Sequence, residues 1–133
     1  MEKLYIAETP KSPRIECNPD GNIIITGRSL PEDAAGFYYP VVEWLSDYYR
    51  NPATITNLLL DVDYINSASA SMLSKLCFVL ERLSKYRKQE VHVKWIVDHD
   101  DDDMIDMCKD MSLFYPALHT TIEYRTERFK WVG

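Results

Sequence analysis

The chain has 133 residues, 46% of them apolar, and a formal net charge of −6. That length suits one domain able to bury a core, and the acidic balance repels a phosphate backbone, which argues against nucleic acid as a partner. Cys17, Cys77 and Cys108 show no C-x-x-C spacing, so neither a disulfide framework nor a zinc knot is indicated, and the lack of any membrane-length apolar run or secretion signal in "MEKLYIAETPKSP" makes a soluble, cytoplasmic protein the expectation.

The stretch "RIECNPDGNIIIT" sets two β-prone runs around Asn18-Pro19-Asp20-Gly21. Proline fixes φ and glycine supplies a positive φ, so the segment reads as a hairpin. In "GRSLPEDAAGFYYPVVEWLSDYYRNP", Ser29 and Glu32 have capping-box spacing and Pro31 falls in the first turn, which predicts a helix beginning there. Its apolar stripe is Ala34, Phe37, Val41, Leu45 and Tyr48, widened by Trp44, with a kink or break expected at Pro40. Tyr38, Tyr39 and Tyr49 cannot all share that stripe, so part of this aromatic cluster is expected at the surface, over neighbouring side chains or at a partner contact.

After Asn51-Pro52, the Leu run in "TITNLLLDVDYI" predicts a central strand covered on both faces. A second helix follows from about Ser67 to Tyr86, burying Met72, Leu76, Leu80 and Leu83 with Leu73 and Val79 beside them. "EVHVKWIV" alternates as a strand, "DDDDMIDMCKDMSLFY" reads as a helix with an acidic start, and "HTTIEYRTE" closes as a strand. The order β-β-α-β-α-β-α-β predicts an α/β fold in a single domain over 1–133: a mixed sheet with an N-terminal hairpin and right-handed βαβ crossovers. The core is expected over about 14–124, with a basic tail in which Arg125, Arg128 and Lys130 alternate with Phe129 and Trp131, read as a frayed or self-docking terminus.

Enzyme chemistry finds no support in the motifs. Ser67 has neither glycine nor histidine beside it, as a nucleophile elbow requires, and the four glycines fit neither a P-loop nor a dinucleotide fingerprint. Asp98, Asp100 and Asp102 alternate like the first ligands of a calcium loop, but Asp103 stands where that loop needs glycine and Lys109 where it needs glutamate. The acidic run is explained by the helix dipole it opens. His92 and His119 are expected to pack or lie at the surface, and His99 to sit in a solvated loop; no metal and no cofactor is expected.

In such sheets partners meet the strand C-termini, where helix N-termini also point. Ser67, at the end of "LLLDVDYIN", sits at such a junction, and from the residues alone Asn66 or Ser67 reads as the cap of the second helix. The phrases "GRSLPEDAAGFYYPVVEWLSDYY", "LLLDVDYINSASASML" and "VKWIVDHDDDDMIDMCKDM" together resemble the SiaC family of bacterial regulatory phosphoproteins, whose architecture is STAS-like, over about Arg14 to Tyr124. The most specific feature is a strand-ending Asn followed by Thr/Ser-Ser-Ser, present here as Asn66, Ser67, Ala68, Ser69.

That resemblance implies a non-enzymatic partner-switching protein of bacterial signal transduction and biofilm control. A serine/threonine kinase phosphorylates the first hydroxyl after the asparagine, a PPM-type phosphatase removes the phosphate, and the unmodified form engages an effector, in the SiaC type a diguanylate cyclase whose activity it promotes. The acceptor falls on Ser67, with Ser69 and Ser71 as secondary candidates, and the expected partner-binding residues are Asp63, Tyr64, Asn66, Ala68, Ser69 and Met72. Serine stands where threonine is common, and Ala68 lacks a neighbouring hydroxyl. The alternatives are a STAS-type anti-sigma antagonist using the same switch, and a small-molecule binder, which would need a polar pocket at the second helix's N-terminus.

Overall fold

In a computed structural model of the chain, which describes residues 1–125, the branched apolar runs form a six-stranded sheet with strands in sequence order. The elements are β1 (Leu4–Ile6), β2 (Arg14–Cys17), β3 (Asn22–Ser29), α1 (Ala34–Arg50), β4 (Ile55–Ile65), α2 (Ser67–Tyr86), β5 (Glu90–Asp98), α3 (Asp102–Phe114) and β6 (His119–Arg125). β1–β2 and β2–β3 pair antiparallel, while β3–β4, β4–β5 and β5–β6 pair parallel. The expected α/β fold with its hairpin and crossovers is therefore present. Arg128, Phe129, Lys130 and Trp131 of the basic tail lie outside the described residues.

One strand is additional. β1 adds to the hairpin with Leu4 opposite Cys17, and the Trp44 indole donates to the Glu2 carbonyl at 2.9 Å, tying the N-terminal segment to α1. Three residues are too few to show a period. The hairpin turn needs its glycine: Gly21 has φ of 105°, and a Cβ there would lie 2.2 Å from the Ile55 carbonyl oxygen.

Right-handed crossovers between successive parallel strands put α1, α2 and α3 on the same side of the sheet. On that side Leu58, Leu60 and Val62 of β4 and Val91, Val93, Trp95 and Val97 of β5 are buried with Val41, Leu45, Leu73, Leu76 and Leu80 of the helices. Among the described residues, no helix covers the other face. There Asn57, Leu59, His92, Lys94 and Thr121 line an open depression, which corrects the expectation that β4 is covered on both faces. His92 stacks on its cross-strand neighbour His119, ring centroids 4.9 Å apart, and bonds Glu90.

Helix α1 begins later than its capping-box spacing suggests. Its cap is Asp33, which accepts the Gly36 N–H at 3.1 Å, whereas Ser29 is the last residue of β3 and fully buried. The Ser29 hydroxyl donates to the Ser69 hydroxyl at 2.8 Å. Having one proton, it must accept from Tyr38, 2.6 Å away. This chain of hydroxyls joins β3, α1 and α2, and it explains why Tyr38 takes the core position expected for Phe37: Tyr38 is 0% exposed, while Phe37 packs edge-on against its ring. Burial raises the Tyr38 pKa, so its proton stays available to donate. α1 continues through Pro40 without a break; the proline removes a single N–H from a helix whose inner face is held by buried apolar residues. Of the other aromatic residues, Tyr39 is exposed and Tyr49 partly buried.

Helix α2 spans Ser67–Tyr86 as its pattern predicts, burying Met72, Leu73, Leu76, Leu80 and Leu83. Burial pushes the Cys17, Cys77 and Cys108 thiols up to about 12.

Two outcomes follow. Tyr38→Phe leaves Ser29 without its donor inside the core and should cost about 1 kcal/mol, read as a lower urea midpoint at unchanged slope. A thiol reagent applied at about pH 8, near the ordinary thiol range, should leave the native cysteines unmodified and label all of them once the chain is denatured.

Candidate functional site

The C-terminal ends of β4, β5 and β6 and the N-termini of α2 and α3 converge on one edge of the sheet. β4 delivers Asp63, Tyr64 and Ile65 to that edge, and Asn66 turns the chain into α2. Asn66 is bonded in three directions: its backbone N–H donates to the Ser29 carbonyl at 3.0 Å, its side-chain N–H to the Pro31 carbonyl at 3.4 Å, and its side-chain oxygen accepts the Ser69 N–H at 2.8 Å. The cap is thus Asn66 and not Ser67.

Ser67, the first helical residue, is exposed, as are Ala68 and Ser71. Ser69 is 0% exposed and belongs to the Ser29–Tyr38 hydroxyl chain; Met72 is 8% exposed and packs in the core. Both were expected to meet a partner, and Ser69 to serve as a secondary acceptor, but their helical phase turns them inward. The surface residues of the expected contact are Asp63, Tyr64 and Ala68, with Tyr64 55% exposed.

Arg125, grouped with the tail in the sequence reading, is the last residue of β6 and organises the charge at this edge. It donates to Asp98 at 3.0 Å and to Asp61, and lies 3.7 Å from Asp63. Burial opposes its charge, but its bonds to Asp61 and Asp98 and their negative charge prevail, and its pKa is raised. The guanidinium so ties β6 to β4 and β5, and compensates part of the negative charge of Asp61, Asp63 and Asp98. The signal was available in the strand pattern: in a parallel sheet, residues ending adjacent strands share an edge.

On the helix side the edge continues into α3. Asp101 caps that helix by accepting the Met104 N–H at 3.1 Å, so the acidic run opens a helix as expected, and among the described residues no cluster of His, Cys, Asp and Glu could hold a metal ion. His99 is exposed in the loop before it. Asp63, Tyr64, Ile65, Asp101, Asp103 and the Met104 and Met107 side chains line a depression of about 160 Å³. That is smaller than the ~300 Å³ at which small-molecule pockets begin. No described helix is long and apolar enough to cross a membrane.

Comparison with known proteins agrees with this fold. The family model for SiaC family regulatory phosphoproteins matches residues 6–124. The crystal structure of apo-SiaC from Pseudomonas aeruginosa superposes with a TM-score of 0.82 at 19% identity, covering 92% of this chain and 99% of that one. SiaC in the crystal structure of the diguanylate cyclase SiaD with its activator SiaC, from the same organism, gives 0.81 at 19% identity over 92% and 99% of the two chains. No curated protein sequence matches the chain.

The capping geometry separates two neighbouring residues in a stability measurement. Asn66→Ala should destabilise the fold by about 1 kcal/mol or more, since it removes the cap and the tie to Pro31. Ser67→Ala should change the unfolding midpoint little; a larger loss for Ser67→Ala than for Asn66→Ala would reassign the cap.

Proposed function

Because the chain belongs to the SiaC family of regulatory phosphoproteins, we propose that it is a non-enzymatic switch, controlled by reversible phosphorylation of Ser67, whose unmodified form binds and promotes a diguanylate cyclase. The observation that carries this reading is the division of labour at α2: Asn66 holds the cap, and Ser67 stands exposed at the first helical position. A kinase reaches the hydroxyl without disturbing a bond the fold needs. Ser69, sealed in the core, is not accessible in the folded chain, and exposed Ser71 lies one turn further along the helix.

Phosphate adds a charge of about −1.5 to −2. At a helix N-terminus the dipole favours such a charge by roughly 0.3 to 1 kcal/mol, so the modified chain stays folded. Burying the same dianion against a partner without a counter-charge costs several kcal/mol. Arg125 is not freely available to supply that counter-charge, being engaged by Asp61 and Asp98. Modification therefore releases the effector and keeps the fold, and a PPM-type phosphatase resets the state. SiaC of Pseudomonas aeruginosa is the activator of the cyclase SiaD; the shared fold and the exposed Ser67 support the same class of effector here.

Incubation with the cognate kinase should add one phosphate, located on the Ser67 peptide by mass spectrometry and absent from Ser67→Ala. Ser67→Asp should fold with a near-normal midpoint and bind the cyclase at least about tenfold more weakly, a loss of about 1.4 kcal/mol. Ser67→Ala should bind like the unmodified chain. Equal cyclase binding by both variants, or a phosphate elsewhere, refutes the switch.

A further inference from the structure

The exposed seam between α2 and α3 is absorbed neither by the fold nor by the phosphoacceptor. Beyond the depression beside Tyr64, a second one of about 410 Å³ continues along the two helices, and Asp103 and Met107 line both. Its α2 wall is Ala70, Ser71 and Ser74, the strip that runs down the helix from Ser67 at i+3, i+4 and i+7. Its α3 wall combines apolar Met107, Met111 and Phe114 with Asp103, Asp106 and Asp110. Phe114 is 71% exposed, and Leu113 beside it 77%. Among the described residues, no lysine, arginine or histidine lines either depression.

An apolar floor edged by carboxylates on one side is complementary to a particular surface. Methionine side chains adapt to different apolar knobs, a seam between two helices accepts a third helix through residues spaced i, i+3, i+4 and i+7, and carboxylates at 103, 106 and 110 follow one face of α3 at helical spacing, so cations at the same spacing meet them. We infer that the α2–α3 groove is a docking surface for an amphipathic helix of a partner protein, with its apolar stripe on Met107 and Phe114 and its lysine or arginine residues against Asp103, Asp106 and Asp110.

This surface goes beyond the switch, because its attraction has the opposite dependence on phosphate. A dianion on Ser67, at the head of the α2 wall, makes the groove more negative and leaves a basic helix bound at least as well. A partner held here stays engaged in both states of Ser67, as an enzyme that acts on the phosphorylated chain must. The groove and the effector contact are thereby distinguishable by experiment.

The probe is a labelled 14-residue Leu/Lys peptide with leucine at i, i+3, i+4 and i+7, titrated with the full chain and followed by fluorescence anisotropy; a scrambled peptide of the same composition is the control. The unmodified chain should bind the amphipathic peptide at least about tenfold more tightly than the scrambled one. The combined variant Asp103→Asn, Asp106→Asn, Asp110→Asn, and separately Phe114→Ser, should each weaken binding about tenfold or more while retaining the native circular dichroism spectrum. Ser67→Glu should bind the peptide with unchanged or greater affinity. Equal binding of the two peptides, unchanged binding by folded groove variants, or loss of the peptide in Ser67→Glu overturns the proposal. Loss of the cyclase contact in Ser67→Glu with the peptide retained supports two surfaces, and a cyclase contact unaffected by Ser67→Glu defeats the switch while leaving the groove standing.

Discussion

Capping of α2 by Asn66 is the constraint from which the site's geometry follows. A helix leaves its first N–H groups without intrahelical partners, and the residue that satisfies them cannot also serve as a freely modified hydroxyl. Asn66 takes the Ser69 N–H and anchors itself to the Ser29 and Pro31 carbonyls, which fixes where α2 starts and hence its rotation. With that rotation set, Ser69 and Met72 point into the core and Ser67, Ala68 and Ser71 point out. The buried bonds from Tyr38 through Ser29 to Ser69 reinforce the same register from beneath.

Arg125 plays the corresponding role for charge. Asp61, Asp63 and Asp98 crowd the strand ends, and their mutual repulsion would load the edge of the sheet without a cation among them. A guanidinium with 19% side-chain exposure offers its bonds to Asp61 and Asp98, so the charge near β4 and β5 is partly compensated. Among the described residues no cation lines the α3 groove, whose carboxylates form a net negative field. Two faces of one edge thus present different electrostatics to partners, although both are built from acidic residues.

Most of the element order was legible because the strands and helices are strongly periodic. The span of α2, the hairpin at Gly21 and the strand before Asn66 follow from apolar spacing and turn residues that tertiary contacts do not override. Where the reading failed, a tertiary partner had outcompeted a local pattern. Ser29 has capping spacing but finds better satisfaction in Tyr38 and Ser69, and Tyr38 displaces Phe37 from the core because its hydroxyl has a buried acceptor. The Leu run of β4 resembles a doubly covered strand, yet Leu59 lies on the face the helices leave bare; only the crossover topology decides which alternate residue is buried. The start of α2 at Ser67 was legible, whereas the inward phase of Ser69 and Met72 depended on which residue caps the helix. Arg125 escaped because its partners lie on other strands, 27 and 64 residues away in the chain.

Regulation by a charge needs a place where folding and binding respond to that charge differently. In the core both would fail together, since a dianion there has neither water nor a partner to stabilise it. On a solvated helix flank both would be nearly indifferent, because exposed charges are screened within about 8 Å at physiological ionic strength. The first residue of α2 meets neither difficulty: its solvation and the helix dipole absorb the charge in the free chain, while a partner closing over the same residue removes the water and exposes the cost. Moving the hydroxyl by two residues, to Ser69, places it in the core and ends the distinction. In the switch we propose, the relevant property of Ser67 is therefore its location between a satisfied helix terminus and the surface the partner would cover.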